Sequence, residues 1–299
     1  MQNNIKILVP ASTANLGPGF DTLGLALNLY NEFEFSFLND STFQMSTNAD
    51  LPTDKTNIVY KSFAVLFTKS NKSIPGVSLE VKASIPLNAG LGSSSTAIVA
   101  GLVAANYFLG DIYTKNDILN IACEIEGHPD NVASAIFGGL TISSFSEDIV
   151  FVKSVPVKTN FSIIALTPNF PLPTKDARSV LPKSVSYSDA VSNISQTALM
   201  VAAFYENDIE LLKHCFSDRL HEPYRKKLIP GFDDVCSAAR HAGAVGVFLS
   251  GAGPTIVALV NSRKNSEKVL ESMKSEWNKL NVLSVGRILD VDDKGYVLK

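Results

Sequence analysis

"PLNAGLGSSSTAIVAGLVAANYF", residues 86–108, runs from a proline through two glycines and three serines, Ser93–Ser95, into a long apolar segment. The residues before it, "VSLEVKAS" (77–84), alternate apolar and polar as a strand with one wet face does. Together they spell strand, glycine loop, helix. The N-terminus of a helix carries unpaired N–H groups and about half a positive charge, so an anion is favoured there. Glycines let the backbone approach that anion without Cβ collisions and adopt positive φ. Serine hydroxyls add donors, and one could also ligate magnesium. The same residues would equally serve a merely well-capped helix. Two common phosphate loops do not fit: no lysine lies in 86–96, and Ser95 stands where a dinucleotide fingerprint needs a third glycine.

The rest of the composition narrows the class. Of 299 residues, 45% are hydrophobic and 18% charged, enough for one large domain or two ordinary ones. The net charge is −3 with no basic block, which argues against nucleic acid as a partner. No apolar run approaches the roughly 18 residues of a membrane span. "MQNNIKILVPAS" lacks the layout of a signal peptide, so a cytoplasmic setting is expected. Cys123, Cys215 and Cys236 are far apart and suggest neither a zinc site nor a disulfide framework.

Along the chain, "IKILVP" and "EFEFSF" (32–37) read as strands, and 58–67 as a helix. "TKNDILNIACEIEG" opens with a Thr-x-x-Asp capping pattern and puts Ile118, Ile121, Ala122 and Ile125 on one stripe, and Gly127 ends it. A helix over 130–137 stops at "GG" before the strand "LTISSF". "FSIIALT" is a buried strand, followed by a proline-rich loop and a mostly helical run over 187–241. Two apolar strands around "LSGAGPT", a helix over 266–280 and the strand "VLSVGRIL" close the chain. The expected fold class is α+β in two domains, 1–155 and 156–299, with the boundary near 150–160.

"PLNAGLGSSST" resembles the Pro-x-x-x-Gly-Leu-Gly-Ser-Ser phosphate loop of the GHMP kinases, named for galactokinase, homoserine kinase, mevalonate kinase and phosphomevalonate kinase. "VPASTANLGPGFDTLGLAL" and "GVFLSGAGPTIVAL" are similar to the first and third motifs of that superfamily, in the same order. "EGHPDNVASAIFGGL", "PTKDARSVLP" and "EPYRKKLIPGF" look like the homoserine kinase branch, so the matches run from residue 7 to about residue 260. The resemblance implies an N-terminal domain like domain 2 of ribosomal protein S5 and a ferredoxin-like C-terminal domain, with the active site between them. It implies ATP and Mg2+ as cofactors, L-homoserine as the phosphorylated alcohol, and allows a homodimer. Rivals are a relative acting on mevalonate or shikimate, and a non-enzymatic metabolite binder.

Site residues follow from the same likeness. The nucleotide is implied to rest on Pro86, Leu87, Asn88, Ala89, Gly90, Leu91, Gly92, Ser93, Ser94, Ser95 and Thr96. Asn57 would touch the base, although a helix N-cap explains it as well. Asn15 and Asp21, otherwise ordinary turn residues, are implied to meet the substrate's polar atom and ammonium group. His128, beside a glycine and a proline, could simply pack the loop, but the resemblance makes it a substrate contact. Thr174 in the proline-rich loop is implied to bind substrate; Arg178 beside it and Arg225 are either surface ion pairs or two-point clamps on a carboxylate, and the resemblance favours clamps. Gly251 is the expected contact from "LSGAGPT", which otherwise is a tight turn. Mg2+ is implied on Ser93 and Glu124, with Glu126 competing for that place.

Asn131 stands where several GHMP kinases carry an aspartate base, and an amide cannot take a proton. Ser93, Glu124, Asn131 and Arg178 then act by positioning and charge, and the γ-phosphate itself accepts the hydroxyl proton. Asp21 and Asp130 stay open as bases. His214, His221 and His241 are read as structural.

Overall fold

The computed structural model describes residues 4–38, 40–146, 149–158 and 161–299. The first three residues of the expected N-terminal domain, and residues 159 and 160 of the expected boundary, therefore lie outside it.

The chain begins with two long antiparallel strands, β1 (Asn4–Ala14) and β2 (Leu23–Leu38), joined across the loop 15–22. The pairing register shifts between Pro10 and Ala11. Proline offers no N–H to a ladder, so an irregularity there lets the strand run on instead of stopping. Next come β3 (Phe43–Thr47), α1 (Ile58–Lys69) and β4 (Gly76–Lys82). Three helices then follow in succession: α2 (Ser93–Leu109), α3 (Lys115–Glu126) and α4 (Asp130–Phe137). The Thr114 side chain accepts from Asp117 N while Asp117 reaches back to Thr114 N, the capping box that starts α3. The hairpin β5 (Leu140–Ser146) and β6 (Ile149–Val155) completes this unit.

The alternation of β2 and β4 sends Phe33, Phe35, Leu79 and Val81 to one face, where they meet Phe63 and Leu66 of α1 and Ile98 and Leu102 of α2. Each such side chain contributes about 1.5–3 kcal/mol by leaving water. α2 is buried nearly all round, which is why its sequence shows no polar stripe.

The second unit starts with β7 (Ser162–Pro168). Then come α5 (Thr174–Ser179), α6 (Tyr187–Glu206), the short α7 (Ile209–Leu212) and α8 (Glu222–Arg225), which runs into a 3-10 turn. The helical run is thus interrupted. The Asp218 carboxylate accepts from the backbone N–H of Leu220, His221 and Glu222, offering that stretch an alternative to helix. After α9 (Phe232–His241) come β8 (Gly246–Leu249), β9 (Ile256–Val260), α10 (Arg263–Lys279), β10 (Ser284–Leu289) and β11 (Val297–Leu298).

The four strands from β7 to β10 form an antiparallel sheet in the order β10-β7-β9-β8. With α9 before β8 and α10 before β10, that is a ferredoxin-like βαββαβ arrangement. β7 is buried on both faces. Ile164 and Leu166 pack toward α9 and α10, while Ile163 and Ala165 join a second cluster with Leu25 and Leu27 of β2. This apolar seam couples the two units.

The expected extent of the second unit needs one correction. β11 pairs with β1, in the sheet ordered β11-β1-β2-β4-β3, and Leu27 forms a bridge with Val291. The end of the chain therefore belongs to the first sheet. Among the described residues no helix is long and apolar enough to cross a membrane.

Candidate active site

Ser93 opens α2, and Gly92 precedes it at φ 71° with no side chain capping the turn. The amides of Ser93–Ser95 have no carbonyl of a preceding turn to reach. Glycine is required here for two reasons. A Cβ on Gly92 would stand 2.1 Å from Ser12 Oγ, and one on Gly90, at φ 78°, 2.2 Å from Ser250 O. The second unit braces the loop: Ser250 Oγ donates to Gly90 O (2.6 Å), and Leu172 N donates to Asn88 O (3.2 Å).

The loop forms one wall of a cavity of about 350 Å³ between the two units. Its lining combines an apolar slot of Phe33, Leu51, Val59, Val81 and Ala83 with the charged and hydrogen-bonding groups Asp21, His128, Asp130, Asn131, Thr174, Arg178 and Arg225. Residues from positions 21 to 225 thus meet in one space.

Asp21 sits at φ 52° in the loop after β1, and its carboxylate grips Arg178 with two bonds of 2.8 and 3.1 Å. Burial alone would lower the Arg178 pKa, but the bonds and charge of Asp21 outweigh it and the net shift is upward. Arg225 is 2% exposed. Its Nε donates to Ala177 O (3.1 Å) and Nη1 to Gly251 O (3.0 Å). Burial, then the like charge of Arg178, push its pKa down to about 10, still well above neutrality.

His128 Nδ1 lies 2.8 Å from Asp130 Oδ1. Burial would lower the pKa of this ring, but the Asp130 bond and the charges of Asp130 and Glu126 raise it on balance. Asp130 Oδ1 also accepts from Asn131 N (2.7 Å). Asn131 Oδ1 accepts from Ser12 Oγ (2.8 Å), which leaves its NH2 edge as the donor.

The two glutamates separate. Glu124 is turned to Lys69 (3.0 Å), half exposed, and does not line the cavity. Glu126 does, and its carboxylate accepts from Ser94 Oγ (3.0 Å) and Ser95 Oγ (2.9 Å). Of the two carboxylates named for the metal, Glu126 therefore faces the cavity and Glu124 does not. Residues two apart on a helix point to nearly opposite sides, so only one can face the loop. Among the described residues, no three His, Cys, Asp or Glu side chains gather to hold a metal unaided. One carboxylate with serine hydroxyls is nevertheless a fitting partial set for Mg2+, which takes its other oxygens from phosphates and water.

Other expected residues are placed differently. Ser93, Ser94, Leu87, Asn88, Ala89, Gly90 and Gly92 line the cavity. Pro86, Leu91, Ser95 and Thr96 do not: Leu91 is core, and Thr96 Oγ1 accepts from Asn31. Asn57 lines it, yet its side chain caps α1 at Val59 N (2.8 Å) and donates to Pro52 O (2.6 Å). Asn15 spans Gly251 O and Asp21 N, and so shapes the pocket loop. The Gly251 carbonyl is already shared by Asn15 and Arg225.

Sequence reasoning missed the apolar slot, in which Phe33 and Val81 are cross-strand partners; alternation gives each its face but not its partner. It also read His221 as merely structural. That ring is fully buried, with Nε2 at Gly17 O (2.8 Å) and Nδ1 facing Arg225 Nη1 (3.3 Å).

Comparison with known proteins places the fold in a family. The model of the GHMP kinases N-terminal domain matches residues 57–139, and that of the GHMP kinases C-terminal domain matches residues 200–279. The chain is 44% identical over 280 residues to a homoserine kinase of Clostridium beijerinckii, covering 92% of this chain and 94% of that protein. It is 43% identical over 295 residues to one of Desulfitobacterium hafniense, covering 97% and 98%. The crystal structure of homoserine kinase from Cytophaga hutchinsonii superposes with a TM-score of 0.92 at 34% identity, covering 100% and 98%. Leishmania major mevalonate kinase, at 14% identity and a TM-score of 0.74 over 96% of each chain, shares the fold.

Proposed function

The chain belongs to the GHMP kinases, and on that premise we propose that it is a homoserine kinase. ATP and L-homoserine give ADP and O-phospho-L-homoserine, a step toward threonine. One observation carries the reading: the uncapped N-terminus of α2 shares a single cavity with a carboxylate and two arginines. The first suits a polyphosphate. The second set suits a zwitterion, since Arg178 and Arg225 match a carboxylate and Asp21 matches an ammonium group. Mevalonate would need the cations alone, so the carboxylate favours the amino acid.

In this arrangement the adenine occupies the apolar slot and the phosphates lie along Leu87–Ser94. Glu126, with Ser93 or Ser94, would hold Mg2+, which would spread the negative charge of the phosphates. The homoserine hydroxyl faces Asn131, whose NH2 edge donates to it. Asp21 is committed to Arg178, and Asp130 Oδ1 already accepts from His128 and Asn131. In this reading neither serves as the base. The hydroxyl oxygen attacks the γ-phosphorus, the bond to the β-phosphate oxygen breaks, and the hydroxyl proton passes to a γ-phosphate oxygen. Catalysis then rests on alignment and on amide, hydroxyl and guanidinium charge around the transferring group.

A homodimer completes the proposal. Tyr187, Val191, Ile194 and Tyr205 form an exposed apolar row on α6, 92%, 59%, 69% and 56% accessible, which suits contact between copies. Ile194→Asp should halve the mass measured by light scattering. A cytoplasmic location is proposed as well, supported by three buried free thiols and by the ATP requirement.

The direct test is coupled ADP release with homoserine, mevalonate, shikimate or no acceptor. Release dependent on homoserine alone is expected. Release with another alcohol, or none with homoserine, overturns the assignment.

A further inference from the structure

Arg178 and Arg225 come from α5 and α8, carry like charges, and must present their N–H edges to one small anion. Asp21 neutralises Arg178, but among the described residues no carboxylate is hydrogen-bonded to Arg225, whose donors reach Ala177 O, Gly251 O and His221 Nδ1. The residue common to both guanidinium groups is Phe20. Its ring centroid lies 5.6 Å from Arg178 Cζ and 5.1 Å from Arg225 Cζ, and the ring stacks on His221 at 5.1 Å and 24°. An aromatic face within about 6 Å attracts a guanidinium through its quadrupole, while the hydrogen-bonding edge of the cation stays free.

The loop carrying Phe20 is itself anchored. Gly19 N donates to Asn15 O (2.9 Å), and Leu23 N returns to Gly19 O (2.9 Å). Pro18 O accepts from Asn193 Nδ2 (2.9 Å) and Thr197 Oγ1 (3.0 Å) of α6. These bonds fix the backbone from which the ring projects. Phe20 thus sits against two guanidinium groups and one imidazole ring.

We propose that Phe20 is a positioning residue for the substrate carboxylate, its ring serving as the shared platform on which the Arg178 and Arg225 guanidinium groups are laid with their N–H edges toward the cavity. His221 stacks on the same ring and meets Arg225 Nη1 at Nδ1, tying ring and guanidinium together. The inference rests on the homoserine kinase reading. Phe20 touches the arginines and acts through them, so its removal affects recognition of a carboxylate and spares the nucleotide.

The test compares Phe20→Leu, which keeps apolar volume and loses the ring, with Phe20→Tyr, which keeps it. Steady-state constants are measured for ATP, for L-homoserine, and for 3-aminopropan-1-ol, which is homoserine without its carboxylate. Phe20→Leu should raise KM for homoserine about tenfold with KM for ATP unchanged. The preference for homoserine over the carboxylate-free alcohol should fall by the same factor, and Phe20→Tyr should stay near wild type. A merely structural ring would weaken both acceptors together. An unchanged preference in Phe20→Leu, an equal rise in both KM values, or a Phe20→Tyr as impaired as the leucine variant overturns the platform. Wild-type protein inactive on homoserine instead overturns the enzymatic reading, and the platform with it.

Discussion

Replacing Arg225 by lysine keeps the charge and removes the fork, so it separates charge from geometry. The guanidinium is 2% exposed and spends Nε on Ala177 O and Nη1 on Gly251 O, which leaves Nη2 for a ligand. A lysine has one nitrogen for all three duties. Losing one charge-assisted hydrogen bond costs about 1.5–3 kcal/mol, which is roughly 10- to 150-fold in affinity. KM for homoserine should therefore rise by about that factor, with KM for ATP within about twofold. Loss of an internal carbonyl bond costs folding about 1–3 kcal/mol, on the order of 5 °C in Tm for a chain of this size. Initial rates at saturating co-substrate, beside a thermal melt, measure both. Equal rises in the two KM values would refute the placement of Arg225 beside the acceptor.

Asp21→Asn should raise KM for homoserine and leave the pH dependence of kcat intact; loss of that dependence with binding unchanged would make Asp21 the base. Glu126→Gln should raise the Mg2+ concentration needed for half-maximal rate, whereas Glu124→Gln, losing only a surface ion pair with Lys69, should change stability by less than about 0.5 kcal/mol. Burial pushes the Glu222 carboxyl up to about 8, against an ordinary value of 4.5. The folded protein thus holds a proton that the unfolded chain gives up. The stability this adds is complete below pH 4.5 and is lost as pH rises toward 8. Glu222→Gln should flatten the fall in Tm across that window, and parallel curves for the two proteins would contradict it.

Local signals were legible in the residues themselves. The glycine loop announced an unpaired helix start, Thr114 and Asp117 spelled their capping box, and the alternation of "EFEFSF" located the buried face of β2. Long-range partners were not legible. Phe20 and Arg225 meet because β1 turns sharply at Asn15 and because Asp218 breaks the helical run ahead of α8. No spacing rule connects positions so far apart. The choice between Glu124 and Glu126 depended on which side of α3 faces α2, and that is a property of packing. β11 was missed because a two-residue strand has no period to detect.

The pairing of β11 with β1 brings Lys6 and Lys299 into reciprocal backbone hydrogen bonds of 3.2 and 2.8 Å. In the order of the chain, the ferredoxin-like half is an insertion, entering after β6 and leaving before the last ladder is closed. Cutting at residue 155 would strip the opening strand of its neighbour and expose a bare sheet edge. A circular permutant, with the two ends tethered and a new start in a distant surface loop, would keep every ladder.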